Sequence, residues 1–226
     1  MRRKTHIPNT DVNDRRILLY MRSAPLQYER ALWQQGHTLV AGVDEVGCGC
    51  WAGNVFAAAV ILSPLNLPKA QDSKRLSPAL RTKLAESIKN ESVAWAIGQA
   101  SVLEIDTLNI RQAAFLAMRR ALEGLQTSVP TWVLCDGFVL PKITMPCTRL
   151  IGGDHKSRSI AAASILAKVA RDQEMERYEE EYPGYGFARH KGYGTKMHAL
   201  ALNTQGVSPL HRRSFAPVQV ILARTA

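Results

Sequence analysis

The chain has no long apolar run. Among its 226 residues the longest strongly apolar stretch is Val55 to Leu62, far short of the about 20 residues a membrane-spanning helix needs. Its basic start (Arg2, Arg3, Lys4) is not followed by the apolar segment of a secretory leader, so a cytoplasmic setting is expected. Cysteine is scarce: Cys48 and Cys50 form only a C-x-C, and Cys135 and Cys147 stand apart. That spacing argues against a zinc ribbon. A chain of this size can bury a core without staples, so reduced thiols are expected. The six histidines never fall in an H-x-x-x-H pattern, and there is no G-x-S-x-G elbow or Walker loop. The usual zinc, serine-hydrolase and P-loop chemistries therefore have no support. Fifteen glycines and eleven prolines are too few for a collagen-like or disordered chain. Acidic residues are in deficit, 19 against 29 basic ones, which leaves a net charge of +10. Clustered, such a surplus suits a polyanionic partner; dispersed, it only keeps a surface soluble.

Hydrophobic residues make up 46% and charged residues 21%, ordinary for a globular domain. Residues 1–38 read as a basic, loosely attached arm with a short helix over 26–35, and residues 39–226 as the compact domain. Apolar runs predict strands over 39–46, 55–62, 93–101, 131–135 and 148–151. Helices are predicted over 77–90, with Ser77 as cap and Pro78 in first position, and over 103–125, 160–181 and 195–203. The order suggests a mixed sheet covered by helices, an α/β or α+β layered domain, with sites collecting near strand ends.

Carboxylates recur at those ends. Asp44 and Glu45 close the first strand, Asp136 follows Trp132 to Cys135, and Asp154 follows Ile151-Gly152-Gly153. Clustered carboxylates repel one another unless cations neutralise them. Hard divalent ions such as Mg²⁺ take such oxygen ligands, and two of them can hold a scissile phosphate and activate water. Each residue also has a plainer reading as a turn former or helix cap, and Asp154, just before Lys156 and a helix, suits capping. Neighbours on a regular strand point to opposite faces. Asp44 and Glu45 therefore share one site only if the strand bends, and Asp44 is the better side-chain ligand.

The positive charge is clustered. Residues 182–196, YPGYGFARHKGYGTK, interleave Tyr182, Tyr185, Phe187 and Tyr193 with Arg189, His190, Lys191 and Lys196. Basic groups meet phosphates and rings stack on bases or sugars. His211-Arg212-Arg213 adds a second basic cluster, and Lys156 and Arg158 sit at a helix start. The plainer reading is a glycine-rich surface loop whose aromatics are tucked into the core.

Several segments together resemble ribonuclease HII. They are Ala41-Gly42-Val43-Asp44-Glu45-Val46-Gly47, Asp72 to Ser77, Leu134-Cys135-Asp136-Gly137, Gly153 to Ser157, SIAAASILAKVARD over 159–172, residues 182–196 and SPLHRRSFAPV over 208–218. They occur in the family's order and span roughly residues 27–222. The resemblance implies a ribonuclease H-like mixed five-stranded sheet flanked by helices, in a monomer. It also implies an endonuclease using two Mg²⁺ or Mn²⁺ ions. The implied substrates are RNA–DNA hybrids and duplex DNA with embedded ribonucleotides, cut 5′ of the ribonucleotide to leave a 3′-hydroxyl and a 5′-phosphate. By motif match, Asp44, Glu45, Asp136 and Asp154 would be the catalytic, metal-binding acids. Gly47, Cys48, Gly49, Ser73, Lys74 and Tyr193 would meet substrate, Tyr193 against a sugar and Ser73 and Lys74 near backbone phosphates. Asp172 is read as structural, paired with Arg171. The family turn is Gly-Arg-Gly, whereas this chain has Gly47-Cys48-Gly49. Its backbone readout of the ribose 2′-hydroxyl survives, but the arginine's phosphate contact does not, at an expected cost of about 1–3 kcal/mol. Asn54 stands where the family has proline, which would loosen the same region. Two alternatives remain: a protein that binds hybrids or junctions without cutting, and a transposase or resolvase with a similar carboxylate cluster.

Overall fold

The computed structural model describes residues 23–71, 73, 76–126 and 128–225. Five strands form one sheet: β1 (Val40–Val46), β2 (Val55–Ile61), β3 (Ala94–Ala100), β4 (Trp132–Asp136) and β5 (Cys147–Leu150), in the order β3-β2-β1-β4-β5. β1 pairs antiparallel with β2, and β2 with β3; β1 pairs parallel with β4, and β4 with β5. The parallel register sets Val43 opposite Cys135. The next residues, Asp44 and Asp136, therefore leave adjacent carboxyl ends of the sheet on the same face.

β2 is buried along its whole length because helices cover both faces. Ala57, Ala59 and Ile61 pack with Val43 against α3 (Val102–Leu108) and α4 (Ile110–Glu123), through Ile105, Phe115 and Met118. Ala58 and Val60 face the other way, toward α2 (Pro78–Glu91) and α5 (Arg158–Glu181), through Ile88, Ala162 and Ile165. The approach of α5 is close. A Cβ added at Gly42 would come within 2.1 Å of the Ser159 carbonyl carbon, so β1 needs a glycine beneath the helix.

Helix starts follow side-chain chemistry. The Ser77 hydroxyl accepts from the Leu80 amide ahead of α2, as expected. Ser157 caps α5 by accepting from the Ile160 amide, so Asp154 does not serve as that cap. The single helix expected over 103–125 is two. A Ser101–Glu104 capping box starts α3, and Asn109, at φ 73, ends it and caps α4 through the Gln112 amide. Asparagine tolerates positive φ better than most residues, and its side chain competes for helical amides. Beyond α5 lie α6 (Phe187–His190), α7 (Lys196–Gln205) and α8 (Ala216–Thr225). α6 and α8 have no counterpart among the expected helices.

Of the expected arm, residues 1–22 lie outside the described residues. The described part is docked rather than loose. α1 (Gln27–Gln34) buries Leu32 and Glu29, and Glu29 Oε1 accepts from Ser157 Oγ at 2.6 Å, Ser159 N at 2.9 Å and Ser159 Oγ at 2.8 Å. All four cysteines are free thiols. Among the described residues, no helix is long and apolar enough to cross a membrane.

Candidate active site

Asp44 is only 6% exposed. Burial raises its carboxyl pKa well above the ordinary value, and the charges of Glu45, Asp136 and Asp154 raise it further, against a hydrogen bond from Ser164. Its Oδ1 accepts from the Glu45 amide at 2.8 Å. Asp136, the last residue of β4, accepts the Gly153 amide on Oδ1 at 2.7 Å. Gly153 opens the 3₁₀ turn Gly153–His155 that carries Asp154, which is 3% exposed, with His155 Nε2 3.9 Å from its Oδ1. Three strand-end acids thus sit within electrostatic reach of Asp44.

A recess of about 130 Å³ opens at this end of the sheet, bordered by Asp44, Glu45, Asp136, Ser73, Lys168 and Tyr193, among others. Strand alternation holds: Asp44 belongs to the α5 face and Glu45 to the α4 face. Both still reach the recess, because it lies off the end of β1. Asp154 is not among the residues lining it, but its charge raises the Asp44 pKa. Among the described residues, no three His, Cys, Asp or Glu side chains already converge on one ion position. The donor chemistry nevertheless fits a hard divalent cation. All four groups offer carboxylate oxygen, and their mutual repulsion, visible in Asp44, is what such a charge relieves.

The turn after β1 is braced from below. Gly47 has φ 96, and a Cβ there would stand 2.3 Å from Arg171 Nε, so a side chain is excluded by both conformation and space. Arg171 donates to the carbonyls of Ala52, Asn54 and Lys191. Arg212 donates to those of Gly53 and Cys48. Both guanidiniums are fully buried. Cys48 lies with its Sγ 3.9 Å from Glu45 Oε1; burial and that carboxylate push the thiol up to about 12, so it stays neutral. Asn54 does not loosen the region as expected. Its amide donates to Glu174 Oε1 at 3.0 Å and its carbonyl accepts from Val102 N at 3.1 Å, which ties β2 to α5 and α3.

Other expectations change. Arg212 and His211 are buried, so the second basic cluster is mostly scaffold. Tyr185 and Phe187 are buried too, stacked 5.2 Å apart, and of the interleaved rings it is Tyr193, 41% exposed, that borders the recess. A bridge to Cys50 and a bond from Trp51 N to Gly192 O hold it against the turn. Asp172 pairs with Arg81 at 3.2 Å and Lys168 at 2.6 Å, not with Arg171. Ser73 is buried, its hydroxyl 3.0 Å from that of Ser164; Lys74 lies outside the described residues. Lys168 and Ser164 border the recess and were not among the expected site residues. The i,i+4 spacing of Lys168 and Asp172 was the available signal.

A five-stranded mixed sheet flanked by helices, with acids at the ends of its two central parallel strands, defines a ribonuclease H-like protein. The crystal structure of ribonuclease H2 from Pyrococcus horikoshii OT3 superposes with a TM-score of 0.70 at 25% identity, covering 82% of this chain and 97% of that one. Bst-RNase HIII in complex with Mn²⁺ shares the fold, with a TM-score of 0.66 at 19% identity over 84% of this chain and 71% of that one. The family model for Ribonuclease HII matches residues 41–218. Ribonuclease HII of Desulfitobacterium hafniense (strain DSM 10664 / DCB-2) is 51% identical over 197 residues, 87% of this chain and 75% of that protein. That of Myxococcus xanthus (strain DK1622) is 51% identical over 199 residues, 87% of this chain and 68% of that protein. The chain belongs to the ribonuclease HII family, and is an endoribonuclease of the RNase H type acting on RNA–DNA hybrids.

Proposed function

We propose that this enzyme cuts both the RNA strand of hybrids and duplex DNA 5′ of a single embedded ribonucleotide, leaving a 3′-hydroxyl and a 5′-phosphate. Asp44, Glu45, Asp136 and Asp154 would hold two Mg²⁺ or Mn²⁺ ions. Such ions, when bound, supply Lewis-acid charge at the phosphate and lower the pKa of water. The protein's own share is positioning. The Gly153 amide orients the Asp136 carboxylate, and the buried arginines hold the Gly47-Cys48-Gly49 backbone where it can face a ribose. The exposed Tyr193 ring lies beside the acids, placed to pack on a sugar. Ser73 and Lys74 are assigned to the flanking phosphates. Residues 39–226 are taken as the catalytic domain and residues 1–38 as its basic arm, in a cytoplasmic monomer.

The observation that carries this reading is the buried Asp44, under the charge of three other acids and bordering one recess with Tyr193. Substrates labelled at either end, one hybrid and one duplex with a single ribonucleotide, are incubated with Mg²⁺, Mn²⁺ or EDTA. Metal-dependent products ending in 3′-hydroxyl and 5′-phosphate, cut 5′ of the ribonucleotide, are expected. Binding without cutting in either metal would instead support the non-catalytic reading that the neutral Cys48 motivates. Cutting of the hybrid alone would withdraw the embedded-ribonucleotide activity.

A further inference from the structure

Glu45 also lines a second cavity, of about 400 Å³. Its walls are apolar, formed mainly by Ala114, Phe115 and Phe138 with the Cys48 thiol, and its two charged groups are Glu45 and Arg111. Arg111 sits in the first turn of α4. Its guanidinium carbon lies 5.7 Å from the Phe115 ring and 5.3 Å from the Phe138 ring, and the two rings meet edge-on at 5.6 Å. Ring contacts of this kind fix a guanidinium in place yet leave its planar set of N–H donors unused.

Four arginines near the sheet are already engaged. Arg81 is bonded to Asp172 and Arg120 to Glu104; Arg171 and Arg212 are spent on carbonyls. Among the described residues, no carboxylate pairs with Arg111. A guanidinium that is ordered but unpaired, beside a carboxylate of the active site, is matched to a planar oxyanion such as a phosphodiester. It would also offset the repulsion between Glu45 and a passing phosphate. Cys48, being neutral, adds no charge to the cavity.

We propose that Arg111 is a substrate-positioning residue. Its guanidinium takes a backbone phosphate that flanks the scissile one, as the cleaved strand passes over Glu45. The inference rests on the nuclease reading above, because it needs a nucleic-acid strand at the recess.

The test is binding of a fluorescein-labelled RNA–DNA hybrid in EDTA, by anisotropy at several KCl concentrations, for the wild type, Arg111→Gln and Arg111→Lys. Steady-state cleavage with Mg²⁺ runs alongside. Arg111→Gln keeps the stem on the rings and removes the charge. It is expected to weaken binding roughly tenfold and to make the slope of log affinity against log salt shallower by about 0.9, the loss of one phosphate contact. In cleavage the loss should fall on KM. Arg111→Lys should keep the slope while recovering only part of the affinity, because the planar fork is gone. An unchanged slope in Arg111→Gln overturns the proposal. If affinity nevertheless falls, the cavity takes a stacked base rather than a phosphate. A wild type that binds but never cuts would sink the nuclease reading alone, since the binding comparison reads Arg111 without metal or turnover.

Discussion

Asp136 Oδ1 accepts the Gly153 amide at 2.7 Å, so the end of β4 is tied to the turn that carries Asp154. One hydrogen bond thereby fixes the relative placement of two acids 18 residues apart in the chain. A carboxylate that receives a backbone amide is held in one orientation.

Asp44 is held differently. It is buried among like charges, and its raised pKa reports the strain. Asp44→Asn keeps the shape and removes the charge. We expect it to stabilise the metal-free protein by roughly 0.5–2 kcal/mol, a trade between stability and activity, while eliminating cleavage. Thermal melting in EDTA beside a hybrid-cleavage assay checks both. A destabilised variant would show that the Asp44 charge is well paired in the fold.

Glu29 reaches from α1 to the start of α5, where one oxygen accepts three hydrogen bonds. A carboxylate at a helix N-terminus is favoured by the helix dipole, and bonds to charged acceptors are the stronger ones. Glu29→Ala should cost about 2–3 kcal/mol, read as a shift in the urea midpoint. A shift near zero would mean that α1 is not a working part of the domain.

His190, His198 and His211 form a buried stack behind Tyr193. His190 and His198 lie 4.3 Å apart, and the Nε2 atoms of His198 and His211 are 3.0 Å apart. His198 Nδ1–H donates to the Tyr193 carbonyl at 3.0 Å. Burial depresses His198 and His211 from 6.5 to about 4. The folded state holds them neutral, while the unfolded chain takes up protons below about 6.5. Their contribution is therefore complete above pH 6.5 and lost as pH falls toward 4, on the order of 3 kcal/mol for each histidine taken alone. Melting temperature against pH should fall across that window. His198→Phe, which cannot be protonated, should flatten the fall; an equally steep fall would place the sensitivity elsewhere.

Much of this architecture is legible in the residues. The continuous apolar run of β2 signals a strand covered on both faces, and Ser77-Pro78 marks the start of α2. The four acids stand out because glycines follow or precede them at strand ends. What is not legible depends on long-range packing. Arg212 reads as part of a basic cluster and Arg171 as the partner of Asp172, but their guanidiniums bond carbonyls of the turn after β1, which no local pattern reveals. Tyr185 and Phe187 alternate with basic residues, yet they fill a small core with the histidine stack, and Tyr193 is left to face the recess. The break at Asn109 is hidden because the apolar periodicity runs across it. Asn54 departs from the family's proline, and only the positions of Glu174 and Val102 show that it braces the region.

Cys48 gives a gain-of-contact prediction. It opens on the same cavity as Arg111 and stays a neutral thiol. Cys48→Arg should tighten hybrid binding about tenfold and steepen the salt dependence by about 0.9. Anisotropy titrations over a range of KCl measure this. No change would mean that position 48 is not within reach of a phosphate.

The central claim is that the strand-end acids form one catalytic centre, and Asp136→Asn tests it most directly. Asparagine keeps an oxygen that can accept the Gly153 amide, so folding should be spared, with a melting temperature within about 4 °C of the wild type. Loss of the charge should reduce hybrid cleavage by at least about 10³-fold. A folded Asp136→Asn enzyme that cuts the hybrid at the wild-type rate would contradict the account.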